Sequence, residues 1–185
     1  MDKRRGFTLI ELMVVLAVVA VLATLAAPSF KRQIQSTTIS STVNTFLADM
    51  RYARSESIRR GGGVVMCHSN SPEAANPVCD NDSVPVGNGW VSGWIIFHDL
   101  NDDGQKDPAE PLLRIQSPIT SMDSIKEGNN LTTTTKFAFT ATGRVPASMT
   151  SIHFGGSNYP SDVQRLVCIN SSGRVRIAAA GEACS

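Results

Sequence analysis

KRRGFTLIELMVV, residues 3–15, sets the basic cluster Lys3, Arg4, Arg5 and Gly6 directly before an apolar run that holds one carboxylate, Glu11. From Phe7 to Ala27 only Thr8, Glu11 and Thr24 are polar. At about 1.5 Å per residue such a run spans roughly 30 Å of hydrocarbon, enough to cross a bilayer. A cleaved secretory signal has an apolar region of about 7–15 residues and no acid, so this segment reads as a retained membrane helix. A lone charge in such a helix costs about 2.5–3.5 kcal/mol on insertion scales. Glu11 therefore needs a partner.

Beyond Pro28, a candidate kink site, the pattern becomes amphipathic. Ile39, Val43, Phe46, Leu47, Met50 and Ala53 recur in steps of three and four, which places them on one face of a continuing helix. Gly61-Gly62-Gly63 ends it, and Arg59 and Arg60 complement its negative end. The expected rod runs to Arg60, roughly 50 residues or 75 Å long, greasy all round in its first half and needing a sheet against its second.

The whole chain has 185 residues and a formal charge of +1; without its first six residues it has 14 basic and 15 acidic side chains. That near balance argues against an extended basic groove but allows a local patch. Cys67, Cys79, Cys168 and Cys184 include no CxxC pair and lack well-spaced histidines, so they read as two disulfides in an oxidising compartment. Four cysteines allow three pairings, of which the sequence-local pairs 67 with 79 and 168 with 184 are the simplest. Because Lys31 and Arg32 follow the apolar run, basic residues flank both of its ends and orient it weakly. The cysteines settle the orientation, placing the head on the oxidising side.

These amino-terminal residues resemble the signature of type IV prepilins and pseudopilins: a basic leader ending in Gly6, then Phe7, Thr8, Leu9, Ile10 and Glu11, the apolar run and Pro28. The resemblance implies cleavage after Gly6 by a prepilin peptidase, N-methylation of Phe7, residence among inner-membrane lipids with the head in the periplasm, and assembly with other pilin subunits into an extracellular filament. It also implies the partner of Glu11, the terminal amine of a neighbouring subunit. In low dielectric an ammonium and a carboxylate are each costly alone, and joining them fixes one axial register. The chain then divides into a leader (1–6), a membrane and filament-core helix (7–27), its amphipathic continuation (28–60) and a disulfide-tied head (61–185).

The head is similar to the GspH/FimT branch of minor pilins and pseudopilins through GWIIFHDLNDDG, LLRI and LVCINSSGRVRI. Strand-like runs stand at Val64–Cys67, Trp90–His98, Leu112–Ile115, Lys136–Thr140, Ser151–Phe154, Gln164–Ile169 and Arg174–Ala178, separated by Gly, Pro, Asn and Asp. Many short strands without intervening helices predict an α+β fold, with the long helix packed on antiparallel sheet. Trp90, Trp94 and Phe97 are expected to pack beneath the helix.

Gly173-Arg174-Val175-Arg176 follows a Ser171-Ser172 turn. Residues two apart on a strand share a face about 6.6–6.8 Å apart, so the two guanidiniums can grip adjacent phosphates. The Gly-Arg-x-Arg string resembles the DNA-binding motif of FimT-type pilins, which implies DNA as a partner in natural transformation, with Arg144 and Arg165 as auxiliaries. The same string also suits a solvated sheet edge, where charge blocks unwanted pairing. A structural role in initiating a pilus, or a place in a secretion pseudopilus, are the alternative functions.

Asp99, Asn101, Asp103 and Glu110 have the spacing of a calcium loop. The loop follows a strand rather than a helix and Pro108 interrupts it, so no metal site is assigned. His68, His98 and His153 lack paired metal-ligand spacing. No nucleophile elbow, triad signature or phosphate loop appears, so neither enzymatic activity nor a cofactor is expected.

Overall fold

The computed structural model describes residues 7–80, 89–127, 136–146, 150–179, 181, 182 and 184. Gly6, the expected cleavage position, lies outside the described residues. Helix α1 runs unbroken over Leu9–Arg60, 52 residues, through position 28. Thr8 caps its start, and Gly61 ends it in the left-handed conformation (φ 82°), donating its N–H to the Ser57 carbonyl.

Eight strands follow: β1 (Val64–His68), β2 (Trp94–His98), β3 (Leu112–Gln116), β4 (Ser124–Glu127), β5 (Lys136–Phe139), β6 (Thr150–Gly155), β7 (Arg165–Ile169) and β8 (Val175–Ala179). They form two antiparallel sheets, ordered β3-β2-β1-β5 and β4-β6-β7-β8. Both cover the second half of α1. Phe46 is the pivot, making edge-on contacts with Trp90, Trp94, Phe137 and Phe154 at centroid distances of 5.4–6.4 Å. Every member of the predicted stripe from Ile39 to Ala53 is buried there.

Three expectations need correction. The run Trp90–His98 is not one strand: Trp90–Ser92 is a short 3₁₀ turn, and β2 begins after Gly93, whose φ of 106° breaks the extension. Phe97 does not lie beneath the helix. Alternation along β2 sends Trp94 and Ile96 inward, while Ile95 and Phe97 join Val65, Cys67 and Cys79 in a smaller core on the far side of the sheet. β4 was not expected at all.

Cys67 is bonded to Cys79 and Cys168 to Cys184. The first bridge closes a loop over that far-side core. The second lies with Leu166 and Ala178 on the outer face of the second sheet. Each contributes about 2–4 kcal/mol, chiefly by restricting the unfolded chain.

Candidate functional site: an assembly helix and an arginine edge

The first half of α1 covers itself with nothing. Leu9, Ile10, Leu12, Met13, Val14, Val15, Leu16, Val18, Val19, Val21 and Leu22 are half exposed or more, and the segment is long and apolar enough to cross a membrane. Within it Glu11 is tied into a capping box: its Oε2 accepts from the Thr8 N–H (3.0 Å) and from Thr8 Oγ1 (2.9 Å), while Thr8 Oγ1 accepts from the Glu11 N–H (3.3 Å). The carboxylate is thus aimed at the positive end of its own helix.

Of the carboxyl-terminal arginines, Arg176 stands on β8, an edge strand, and Arg174 immediately precedes it. A tight turn presents them. Gly173 N–H donates to the Asn170 carbonyl (2.9 Å), Asn170 N–H to the Arg174 carbonyl (3.1 Å), and Arg174 N–H to Asn170 Oδ1 (3.0 Å). Arg174 and Arg176 are exposed, on the face opposite Val175, which packs on the main core. Together with Cys168 and Cys184 they line a cavity of about 250 Å³. Arg176 also interacts within the chain.

Gly173 has a different task from theirs. It is buried at φ 71°, and a Cβ there would lie 2.2 Å from the Gly143 carbonyl oxygen. Only glycine lets the 140–146 turn approach so closely, and Val145 N–H donates to the Ser171 carbonyl (3.2 Å) across the junction. That contact carries Arg144, exposed, to the arginine pair. Arg165 is separated from them. It pairs with Ala179 at the far end of β8, roughly 13 Å along the strand, and its Nη1 donates to the carbonyls of Asp162 (3.0 Å) and Gln164 (2.8 Å).

The calcium-like loop is stapled by its own amides. Asp99 accepts from the N–H groups of Asp102 (2.8 Å) and Gly104 (2.7 Å), and Glu110 from those of Leu100 (2.7 Å) and Asp107 (3.0 Å). Lys136 Nζ donates to the Gly104 carbonyl at 3.0 Å. Among the described residues, no group of three or more His, Cys, Asp or Glu side chains could hold a metal ion.

Sequence reasoning missed two polar clusters. Asp49, a lone acid in the apolar stripe, accepts from Trp94 Nε1 (2.8 Å), and Arg114 Nη1 lies 3.0 Å from its other oxygen as an ion pair without hydrogen-bond alignment. The signal was present, since Asp49 sits three residues after Phe46. Burial raises its pKa, against the lowering effect of the Trp94 hydrogen bond and Arg114. His68 meets Ser92 Oγ through Nε2 (2.5 Å) and Asp80 through Nδ1 (3.3 Å). The Ser92 hydroxyl, however, donates its one proton to the Ser69 carbonyl (3.0 Å), so it accepts from the imidazole. An activated nucleophile needs the reverse polarity.

Residues 42–173 match the family described as type II transport protein GspH, and residues 1–27 match the prokaryotic N-terminal methylation motif. The chain belongs to the GspH family.

Among relatives of this GspH-family chain, prepilin peptidase-dependent protein D of Escherichia coli (strain K12) is 34% identical over 77 residues, 42% of the chain. The chain spans about half the length of that relative, 52%. The crystal structure of the type IV minor pilin FimU of Pseudomonas aeruginosa (strain PAO1) superposes with a TM-score of 0.51 at 18% identity, covering 84% of this chain and 93% of that one. At that identity the likeness shows the fold: a type IV pilin-like long helix on antiparallel sheets. The family match ends at Gly173, so Arg174 and Arg176 lie immediately beyond it.

Proposed function

We propose that this chain is a minor type IV pilin that binds extracellular DNA without sequence specificity through Arg174 and Arg176, supporting DNA uptake in natural transformation. A prepilin peptidase cuts after Gly6 and Phe7 is N-methylated. The apolar helix rests among inner-membrane lipids, with the head in the periplasm, until assembly with other pilin subunits. In the filament Glu11 meets the terminal amine of a neighbour. The N-terminal methylation motif and the exposed apolar half of α1 support this part. The protein acts by binding and assembly and catalyses no reaction.

The observation that carries the DNA reading is the pair of exposed arginines, two residues apart, projected from an edge strand by the Asn170–Gly173 turn. Each planar fork suits one phosphate. Two such contacts give weak binding whose log–log salt slope on duplex DNA is about −1.8. Replacing both arginines by Ala is expected to lower DNA retention in a salt-controlled gel shift and to lower transformation, with surface fibres unchanged. Undiminished retention by the double variant would refute the assignment.

The family's own description favours a second reading, a type II secretion pseudopilin. A deletion strain separates the two: loss of transformation with intact protein secretion supports the first, and the converse supports the second.

A further inference from the structure

We infer that the DNA-contacting surface continues past Arg174 across the 140–146 turn to Arg144 and onto helix α1 at Arg54, forming one cationic track. The inference rests on the DNA reading above and specifies the path the phosphate backbone takes over the head.

The first observation is contiguity. An ideal Cβ on Gly173 falls 2.2 Å from the Gly143 carbonyl oxygen and 3.7 Å from Arg144 Cα, so the two turns touch. On the other side of the same turn, an ideal Cβ on Gly143 would fall 2.9 Å from both Cγ and Nε of Arg54. Gly143, at φ 70°, is therefore seated between the Arg54 side chain and the Gly173 backbone. Segments from three distant parts of the sequence meet here, each bringing an arginine. Hydrogen bonds hold the middle one in place: Thr140 N–H donates to the Arg144 carbonyl (2.9 Å), Arg144 N–H to Thr140 Oγ1 (3.1 Å), and Val145 N–H to the Ser171 carbonyl (3.2 Å).

The second observation is charge accounting. Elsewhere on the head most arginines are answered: Arg32 by Asp162, Arg59 and Arg60 by Glu56, Arg114 by Asp49, and Arg165 by backbone carbonyls; the exception is Arg51, exposed on α1 three residues before Arg54. Among the described residues, the side chains of Arg54, Arg144 and Arg174 have neither an acidic partner nor a hydrogen bond. Arg144 and Arg174 are exposed and Arg54 is half-buried. Like charges brought together without counter-charges repel, and a polyanion laid across them relieves that repulsion by displacing its own counterions. A nearly neutral chain that leaves adjacent arginines unanswered has the local complement of a phosphate backbone, which presents regularly spaced anions to a line of cations.

The test is the salt dependence of binding to a short mixed-sequence DNA duplex, using the full chain in a neutral detergent. Each phosphate neutralised contributes about −0.9 to the slope. Arg174 and Arg176 alone give about −1.8, and the four-arginine track gives about −3.6. Arg144→Gln and Arg54→Gln are each expected to make the slope shallower by about 0.9, while Arg144→Lys and Arg54→Lys keep it. The Lys variants also guard against a packing effect at Gly143, because loss of slope in both Gln and Lys forms would count as structural damage and overturn the assignment. A wild-type slope near −1.8 that neither Gln variant changes overturns the track and leaves the arginine pair standing. Failure of the wild type to bind duplex overturns the DNA reading, and the track with it.

Discussion

The two halves of α1 belong to one continuous helix and each sets an acid among apolar residues, Glu11 in the first and Asp49 in the second, yet they resolve that acid in opposite ways. Asp49 is answered inside its own chain, by the Trp94 indole and Arg114. Glu11 has only the Thr8 cap at its own helix start, and the residues around it remain uncovered. A periodic stripe finds its cover in the same molecule's sheets, whereas a helix apolar on all sides must find it in lipid or in other subunits. The acid follows its surroundings: Asp49 is paired inside the head, and Glu11 is held by its own helix cap alone.

The largest test of this contrast is a pair of truncations. Phe46→Ala removes a side chain in contact with four aromatic rings and is expected to cost about 3–5 kcal/mol in denaturant unfolding of the head. Leu16→Ala, at a position 59% exposed, is expected to leave head stability unchanged within about 0.5 kcal/mol. Equal effects would show that the two halves do not differ in what covers them. Next in size is Asp49→Leu, which strands the buried Trp94 N–H and breaks the Arg114 pair. We expect a loss of about 1–3 kcal/mol, read as a lower unfolding midpoint at constant m-value. Glu11→Leu, by contrast, is expected to leave unfolding of the head unchanged and to abolish incorporation into fibres.

How far the sequence disclosed this architecture depended on whether a feature was local. The step of three and four from Ile39 to Ala53, the uniformly apolar run before it and the triple-glycine stop are all local, and α1 was legible from end to end. β4 was not, because SIKE offers only Ile125 as a buried residue and takes its strand form from pairing with β6. The 3₁₀ turn at Trp90 had a local sign, glycines on both sides, but the apolar character of WVSGWIIF outweighed it. The calcium spacing was complete in the string, yet the hairpin from β2 to β3 turns its carboxylates onto backbone amides. At the arginine edge, the two-residue spacing implied a shared face for Arg174 and Arg176, and both are exposed. The role of Gly173 and the meeting of Arg54, Arg144 and Arg174 were hidden, because those contacts join segments 30 or more residues apart.

The smallest effect sharpens the contrast within the head itself, where two acids on α1 should respond to pH with opposite sign. Glu56 is held down to about 2, first by its two hydrogen bonds from Arg59 and then by the one from Arg60, below its ordinary 4.5. Its ionised form thus adds stability above pH 4.5, and that contribution fades as the pH falls toward 2. Asp49 is shifted upward from 3.8 by burial, so the folded state holds its proton more tightly than the unfolded chain does. Its ionisation subtracts stability as the pH rises through the folded value, and acidification restores it. Unfolding midpoints of wild type, Glu56→Gln and Asp49→Asn, followed from neutral pH downward, should therefore diverge in sign. The advantage of wild type over Glu56→Gln should shrink with acid, while the position of wild type relative to Asp49→Asn should improve. Parallel curves for the two variants would mean that Asp49 is not paying a desolvation cost, and that its pairing with Trp94 and Arg114 outweighs burial in the folded head.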